Sequence, residues 1–185
     1  LFYPAQFWPH KNHSCILQAL SILKGTKKLE INVVFCGSYS GDIREKCFIE
    51  MMHDANRMGI SKQIYYLGYV PNQTMSSLYA EAIGLVMPTF FGPTNIPVIE
   101  AWSFNCPVIT SDIRGIREQV KDAAILVDPK SAESLSEAIY DIFTDETLCN
   151  KLIQAGRQKL SSYKSEDFFH RFSKIIHEAN ERVAE

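Results

Sequence analysis

The residues best suited to do chemistry fall in one short run, Phe90-Phe91-Gly92-Pro93-Thr94-Asn95-Ile96-Pro97-Val98-Ile99-Glu100-Ala101-Trp102. Apolar residues 83–87 precede it and 108–110 follow it, so it reads as strand, tight turn, short helix, strand. Gly92, Pro93, Thr94, Asn95 and Pro97 build the turn, and the helix it opens carries one carboxylate, Glu100. A helix amino terminus presents unpaired backbone N–H groups and about half a unit of positive charge, which together make an anion site. The amides of residues 94–96 would hold phosphate, and Glu100, one turn inside, would accept hydrogen bonds from a ribose. The chemistry implied is recognition of a nucleoside diphosphate. Glu100 also has a purely structural reading, because a carboxylate near a helix start stabilises the dipole by ~0.3–1 kcal/mol without any ligand.

A second candidate loop, Ala5-Gln6-Phe7-Trp8-Pro9-His10-Lys11-Asn12-His13, follows the first apolar segment. Lys11 stands just before a helix, where its ammonium either meets a phosphate as a point charge or is solvated. His10 and His13 have no evident partner carboxylate and read as surface or capping residues. Gly37, and Gly68 with Tyr69 and Val70, each follow an apolar segment and let a ligand approach the backbone. A nucleobase lying against 68–70 is one reading and an ordinary turn is the other. Asp112 reads as the cap of the next helix, with Arg114 or Arg117 facing either phosphate or solvent, and Trp102 reads as packing. The sequence has no Asp-x-Asp pair, no Walker lysine loop and no GxGxxG, so no metal is expected at the site.

The elements that must position these residues follow from pattern and composition. The 185-residue chain is 46% hydrophobic with a formal net charge of −2, which predicts a sizeable globular core. The charge argues against a nucleic-acid partner, since phosphate backbones demand clustered cations. Cys15, Cys36, Cys47, Cys106 and Cys149 are scattered, odd in number and without a CxxC pair, so they read as reduced and buried. No apolar run approaches the ~20 residues of a membrane span, and nothing resembles a signal peptide, so a cytoplasmic location is expected. The chain opens directly on a strand-like segment, Leu1-Phe2-Tyr3-Pro4, from which an absent upstream half is expected.

Short apolar segments at 1–5, 31–36, 64–67, 84–87, 108–110 and 124–127 alternate with helical stretches near 12–24, 42–58, 72–82, 96–104 and 113–120. Such alternation predicts an α/β fold, a Rossmann-like three-layer sandwich of about six parallel strands, with ligands at the strand carboxyl ends. The loops that matter are then 6–12, 37–41, 68–71, 88–96 and 111–115. After residue 127 the strands stop, and helices are expected over 132–143, 146–161 and 165–183, the first capped by Ser131. One domain over 1–185 is expected, a βα core (1–130) followed by a helical portion (131–185). The stripe Phe168, Phe169, Phe172, Ile175, Ile176 and Ala179 reads as core packing.

Four blocks, in order, carry a likeness to a known family. Ala5 to Asn12 resembles a Gly-Arg-Leu-x-x-x-Lys-Gly/Asn loop, and Val33-Val34-Phe35-Cys36-Gly37 resembles the strand and glycine that follow it. Ile64-Tyr65-Tyr66-Leu67-Gly68-Tyr69-Val70 looks like the strand before a base pocket, and residues 88–112 look like the signature region. From residue 1 to about 143 the chain thus resembles the C-terminal, donor-binding domain of family 4 glycosyltransferases, one half of a GT-B fold. The family's Glu-x7-Glu pair falls on Gly92 and Glu100, and the phosphate-binding Arg of its first loop falls on Gln6, while its Lys is kept as Lys11.

The resemblance implies a donor site of Gln6, Gly37, Gly68, Tyr69, Val70, Gly92, Pro93, Thr94, Asn95, Ile96 and Glu100, with Lys11 and Glu100 in the catalytic role. The substrate implied is a UDP- or GDP-sugar, with no cofactor. The activity implied is retaining, metal-independent transfer of a hexose, mannose among the options, to a glycan or lipid-linked acceptor held by an absent N-terminal domain. The isolated domain is then expected to transfer little, and the full-length protein to associate peripherally with the inner face of a membrane. Gln6 and Gly92 depart from the pattern and remove one cation and one carboxylate. Two other readings stay open beside it: an epimerase-like nucleotide-sugar enzyme using His10, His13 and Glu118, and a nucleotide-sugar-binding module without chemistry.

Overall fold

Short runs rich in valine, isoleucine, phenylalanine and tyrosine pair side by side as parallel strands. The computed structural model describes residues 1–92, 95–163 and 165–183. Its six strands are β1 (Phe2–Pro4), β2 (Val33–Cys36), β3 (Ile64–Tyr66), β4 (Leu85–Met87), β5 (Val108–Ser111) and β6 (Ile125–Val127). All pairings are parallel, in the order β3-β2-β1-β4-β5-β6. The connecting helices are α1 (His13–Ile22), α2 (Asp42–Arg57), α3 (Asn72–Glu81), α4 (Ile96–Ser103) and α5 (Arg114–Val120). Beyond the sheet come α6 (Ala132–Thr144), α7 (Glu146–Ser161) and α8 (Ser165–Val183). This is the Rossmann-like α/β architecture expected from the alternating pattern.

Helices on both faces leave the central strands no contact with water, which is why their sequences are apolar without strict alternation. Phe35, Leu85, Val86, Val108 and Ile109 are all fully buried. Strand order reverses between β1 and β4, so the chain leaves their carboxyl ends in opposite directions and a crevice opens between the two loops. The helical end is fastened by caps: Ser131 Oγ accepts from the Ser134 N–H at 3.0 Å, and an Asp145 carboxylate oxygen accepts from the Leu148 N–H at 2.9 Å. α6 packs on α1, and α7 packs on α4. Gly156 makes the second contact close, because a Cβ there would lie 2.5 Å from Trp102 Cδ1. Trp102 is buried and its Nε1–H donates to the Ala123 carbonyl at 3.0 Å.

Several sequence expectations change. In α8, Phe169, Phe172, Ile175, Ile176 and Ala179 are exposed rather than core; Phe168 lies outside the described side chains. A helical stripe reports amphipathicity, but it does not say what covers the apolar face. Asp112 does not cap α5; its carboxylate accepts from Arg117 Nε–H at 2.6 Å instead. Cys15, Cys36 and Cys106 are buried thiols, whereas Cys47 and Cys149 are only half-buried, and all five are free.

His13 is neither a surface nor a capping residue. It is 6% exposed, its ring stacks on Phe7 at 4.4 Å, and Tyr3 and Phe35 flank it. Burial, and secondarily the charge of Lys11, hold its pKa down at about 3 against the ordinary 6.5. The folded protein therefore keeps His13 neutral while the unfolded chain takes up a proton. Its stabilising contribution is complete above pH 6.5 and is lost as pH falls toward 3, by at most ~1.4 kcal/mol per unit. Denaturant titrations should show stability falling between about pH 7 and about pH 5, and His13→Phe should flatten that slope. A wild-type stability that does not change over this window would contradict the buried neutral imidazole.

Candidate functional site

The crevice is built by a tie between the loops that follow β1 and β4. Asn12 adopts the left-handed conformation (φ 57°, ψ 42°), which asparagine and glycine enter far more readily than other residues. From there its Nδ2 donates to the Pro88 carbonyl at 2.8 Å and to the Pro129 carbonyl at 2.7 Å. The His10 carbonyl accepts from the Phe90 N–H at 2.8 Å and from Thr89 Oγ–H at 2.9 Å. Ser111 on β5 donates to the Thr89 carbonyl at 2.6 Å. Neither loop can move without breaking these bonds.

Lys11 is carried by the first of these loops. Its carbonyl is held by the Tyr3 hydroxyl at 2.7 Å. The side chain is half-buried, and loss of water lowers its pKa from the ordinary lysine value. Among the described residues its ammonium has neither a hydrogen bond nor an ion pair. A partly desolvated cation without an anion is unfavourable, and a phosphate would relieve it.

On the neighbouring side, β1, β2 and β3 end at a pocket of about 250 Å³. Gln6, Gly37, Gly68, Tyr69 and Val70, five of the residues expected at the donor site, line it together with Ser38 and Met75. The walls are held by the Gly37 N–H, which donates to the Gly68 carbonyl at 2.9 Å, and by the Tyr66 hydroxyl, which donates to the Gly37 carbonyl at 2.8 Å. Gly37 has φ +144° and no space for a side chain, since a Cβ would lie 2.4 Å from the Ala5 carbonyl oxygen. Gly68 turns the chain at φ +68°, and Tyr69 beside it is 90% exposed.

The loop after β4 departs from the sequence expectation in one respect. Pro93 and Thr94 lie outside the described residues. Asn95 is buried, and its N–H donates to Gln119 Oε1 at 3.0 Å while Gln119 Nε2 donates back to the Asn95 carbonyl at 3.1 Å. The Asn95 amide is therefore not available to a phosphate. The described donor left at the start of α4 is the Ile96 N–H, since Pro97 has none and the Val98 N–H donates to the Asn95 carbonyl at 3.2 Å. Asn95 Nδ2 is buried without a partner among the described residues. A Cβ at Gly92 would lie 2.9 Å from Asn95 Oδ1, so the space beside Gly92 belongs to that amide.

Glu100 stands in the second turn of α4, deeper than the first-turn position that would serve the dipole. Its Oε2 accepts from the Tyr79 hydroxyl of α3 at 2.7 Å. Burial, and then this carboxylate, raise the Tyr79 pKa, so the tyrosine remains a donor and fixes one carboxylate oxygen. Arg114 and Arg117 are exposed in ion pairs with Glu118 (3.3 Å) and Asp112 (2.6 Å) and are not free to serve the crevice. An apolar cleft of about 350 Å³, lined by Phe2, Ile31, Val34, Leu78 and Ile83, lies at the opposite, amino ends of the strands. Lys11, the pocket of Gly37, Gly68 and Tyr69, and the reversal of strand order all fall at the carboxyl ends, where open α/β sheets bind ligands.

Comparison with known proteins identifies the family. Residues 1–159 match the family described as glycosyl transferases group 1. O-antigen chain mannosyltransferase B of Escherichia coli is 30% identical over 139 residues, 75% of this chain and 35% of that protein. The chain thus spans about a third of the length of the curated relatives it matches. Anabaena HepE, solved in complex with UDP and glucose, superposes with a TM-score of 0.82 at 14% identity, over 96% of this chain and 47% of that one. The C-terminal domain of a glycosyl transferase group 1 family protein from Francisella tularensis superposes with a TM-score of 0.75 at 20% identity, over 89% of this chain and 86% of that one. With a match over most of its length and the Rossmann-like fold of GT-B glycosyltransferases, the chain belongs to the glycosyl transferases group 1.

Proposed function

We propose that this chain is the donor-binding half of a retaining glycosyltransferase that uses a nucleoside diphosphate sugar. The observation that carries the reading is the half-buried, unpartnered ammonium of Lys11 at the point where strand order reverses. In this reading the base lies in the pocket of Gly37, Gly68, Tyr69 and Val70. The ribose hydroxyls donate to the Glu100 carboxylate, whose other partner is Tyr79. The diphosphate meets Lys11 and the Ile96 N–H. The presence of UDP in the HepE complex supports the class of ligand, and the Escherichia coli relative supports mannose as the sugar to try first.

Catalysis follows from where charge develops. As the bond from the sugar C1 to the phosphate oxygen breaks, negative charge grows on the departing diphosphate. A fixed ammonium and a fixed N–H aimed at that charge stabilise the transition state more than the ground state. We infer that these groups supply the compensation without a metal, and that the acceptor and the other wall of the cleft come from a second domain. The epimerase-like reading loses two of its three acid–base candidates, because His13 is sealed in the core and Glu118 is engaged by Arg114, and His10 alone remains for it.

Calorimetric titration with UDP, GDP and ADP should find one diphosphate that binds clearly better than the others. Lys11→Ala should weaken it by about tenfold to a hundredfold, the loss of one charge-assisted hydrogen bond. Equal binding of that diphosphate by wild type and Lys11→Ala would overturn the assignment of Lys11. A pH series gives an independent check. Above about pH 7, where the terminal phosphate is fully ionised, affinity should hold while the lysine stays charged and fall as pH rises through the lowered lysine pKa. Binding should take up protons there, because a bound anion favours the charged lysine. Affinity that rises with alkaline pH would contradict this. Glu100→Gln should weaken the ribonucleotide more than its 2′-deoxy analogue, and identical losses for both would remove Glu100 from the ribose.

A further inference from the structure

We propose that Arg44 is a second cation of the donor site and grips the diphosphate from the β2–α2 side. This rests on the donor-site reading above and extends it to a residue 38 positions away from the first loop. Gln6 lines the donor pocket and stands where the family's first loop carries an arginine. Its Oε1 accepts two hydrogen bonds, from Trp8 Nε1–H at 2.9 Å and from Arg44 Nη1–H at 3.1 Å. The Arg44 guanidinium also sits over the Trp8 ring, 5.0 Å from its centroid. Two neutral partners thus hold a guanidinium against Gln6, a residue of the pocket lining.

The charge of Arg44 is uncompensated. Arg57, Arg114 and Arg117 each pair with a carboxylate, whereas Arg44 has no ion pair among the described residues. Its position also works against the helix that bears it. Arg44 is the third residue of α2, where the dipole favours anions over cations. A fixed guanidinium at a helix start, stacked and hydrogen-bonded but unpaired, has donors to spare for a phosphate, which it can meet with two parallel N–H groups. Asp42 lines the neighbouring groove with Trp8, Gly41 and Arg44, and its charge would repel a phosphate from that groove. The anion is therefore expected on the Gln6 side, shared between Arg44 and Lys11. A diphosphate carries more than one negative charge, and one lysine alone leaves part of it unmatched.

The test is titration of UDP and GDP, alongside uridine and guanosine, into wild type, Lys11→Ala, Arg44→Gln, Arg44→Lys and the double variant Gln6→Arg with Arg44→Gln. Arg44→Gln should weaken the diphosphate by about tenfold or more and leave the nucleoside unchanged. Arg44→Lys should fall between the two, and the double variant should recover binding by returning the guanidinium to the first loop. Thermal melts of each variant identify any loss that is only unfolding, and in that event the Arg44→Lys and double-variant results decide. Should Arg44→Gln bind the diphosphate like wild type while Lys11→Ala does not, the donor site stands and Arg44 is no part of it. Equal weakening of nucleoside and diphosphate would make Arg44 merely structural and overturn the proposal. If wild type binds neither diphosphate, the donor-site reading falls and this one with it.

Discussion

The site depends on Asn12. One side-chain amide, held in a backbone conformation few residues tolerate, donates to a carbonyl after β4 and to another beyond β6. These elements come from distant parts of the chain, so the two hydrogen bonds set the spacing of the crevice. Lys11 precedes Asn12 directly and its ammonium has no hydrogen bond or ion pair among the described residues, so its position is inherited from that tie and from the Tyr3 bond to its carbonyl. The left-handed backbone limits which residues this position accepts. Glycine satisfies the left-handed backbone, whereas asparagine satisfies it and adds the two bonds.

Charges in the molecule fall into two groups. Three described arginines are engaged by carboxylates: Arg114 with Glu118, Arg117 with Asp112, Arg57 with Asp54. These are exposed pairs, worth little to stability, and each removes a cation from competition. Lys11 and Arg44 differ in being partly buried and in having no carboxylate partner among the described residues, and both belong to loops or helix starts at the carboxyl end of the sheet. A fold that leaves such groups unmatched is less stable than it could be, which is the usual compromise at a site built to bind charge.

Much of the fold was legible because local and global signals agree. Each apolar run is short, bounded by glycine, proline or asparagine, and followed by a helical period, and the strands and helices lie within a few residues of where those signals place them. The placement of Gly37 and Gly68 just past strand ends, and of Lys11 just before α1, followed from the same signals. What escaped involves partners far apart in sequence. Gln119 closes on Asn95 from 24 positions away, Asn12 reaches Pro88 across 76, and Arg44 reaches Gln6 across 38. No local pattern encodes those pairings. His13 was misread because a histidine beside a lysine in a polar loop looks exposed, while its burial comes from Phe7, Tyr3 and Phe35, which only the sheet brings together. The apolar stripe of α8 was misread for the opposite reason: its period is helical, but burial needs an opposing surface.

The most direct test of the central claim is a crystal structure of the chain soaked with a UDP- or GDP-sugar. The account predicts diphosphate oxygens within hydrogen-bond distance of Lys11 Nζ and the Ile96 N–H, with the base beside Gly68 and Asn12 unmoved. A nucleotide seated in the apolar cleft at the amino ends of the strands, or a Lys11 side chain turned to solvent beside an ordered diphosphate, would contradict it.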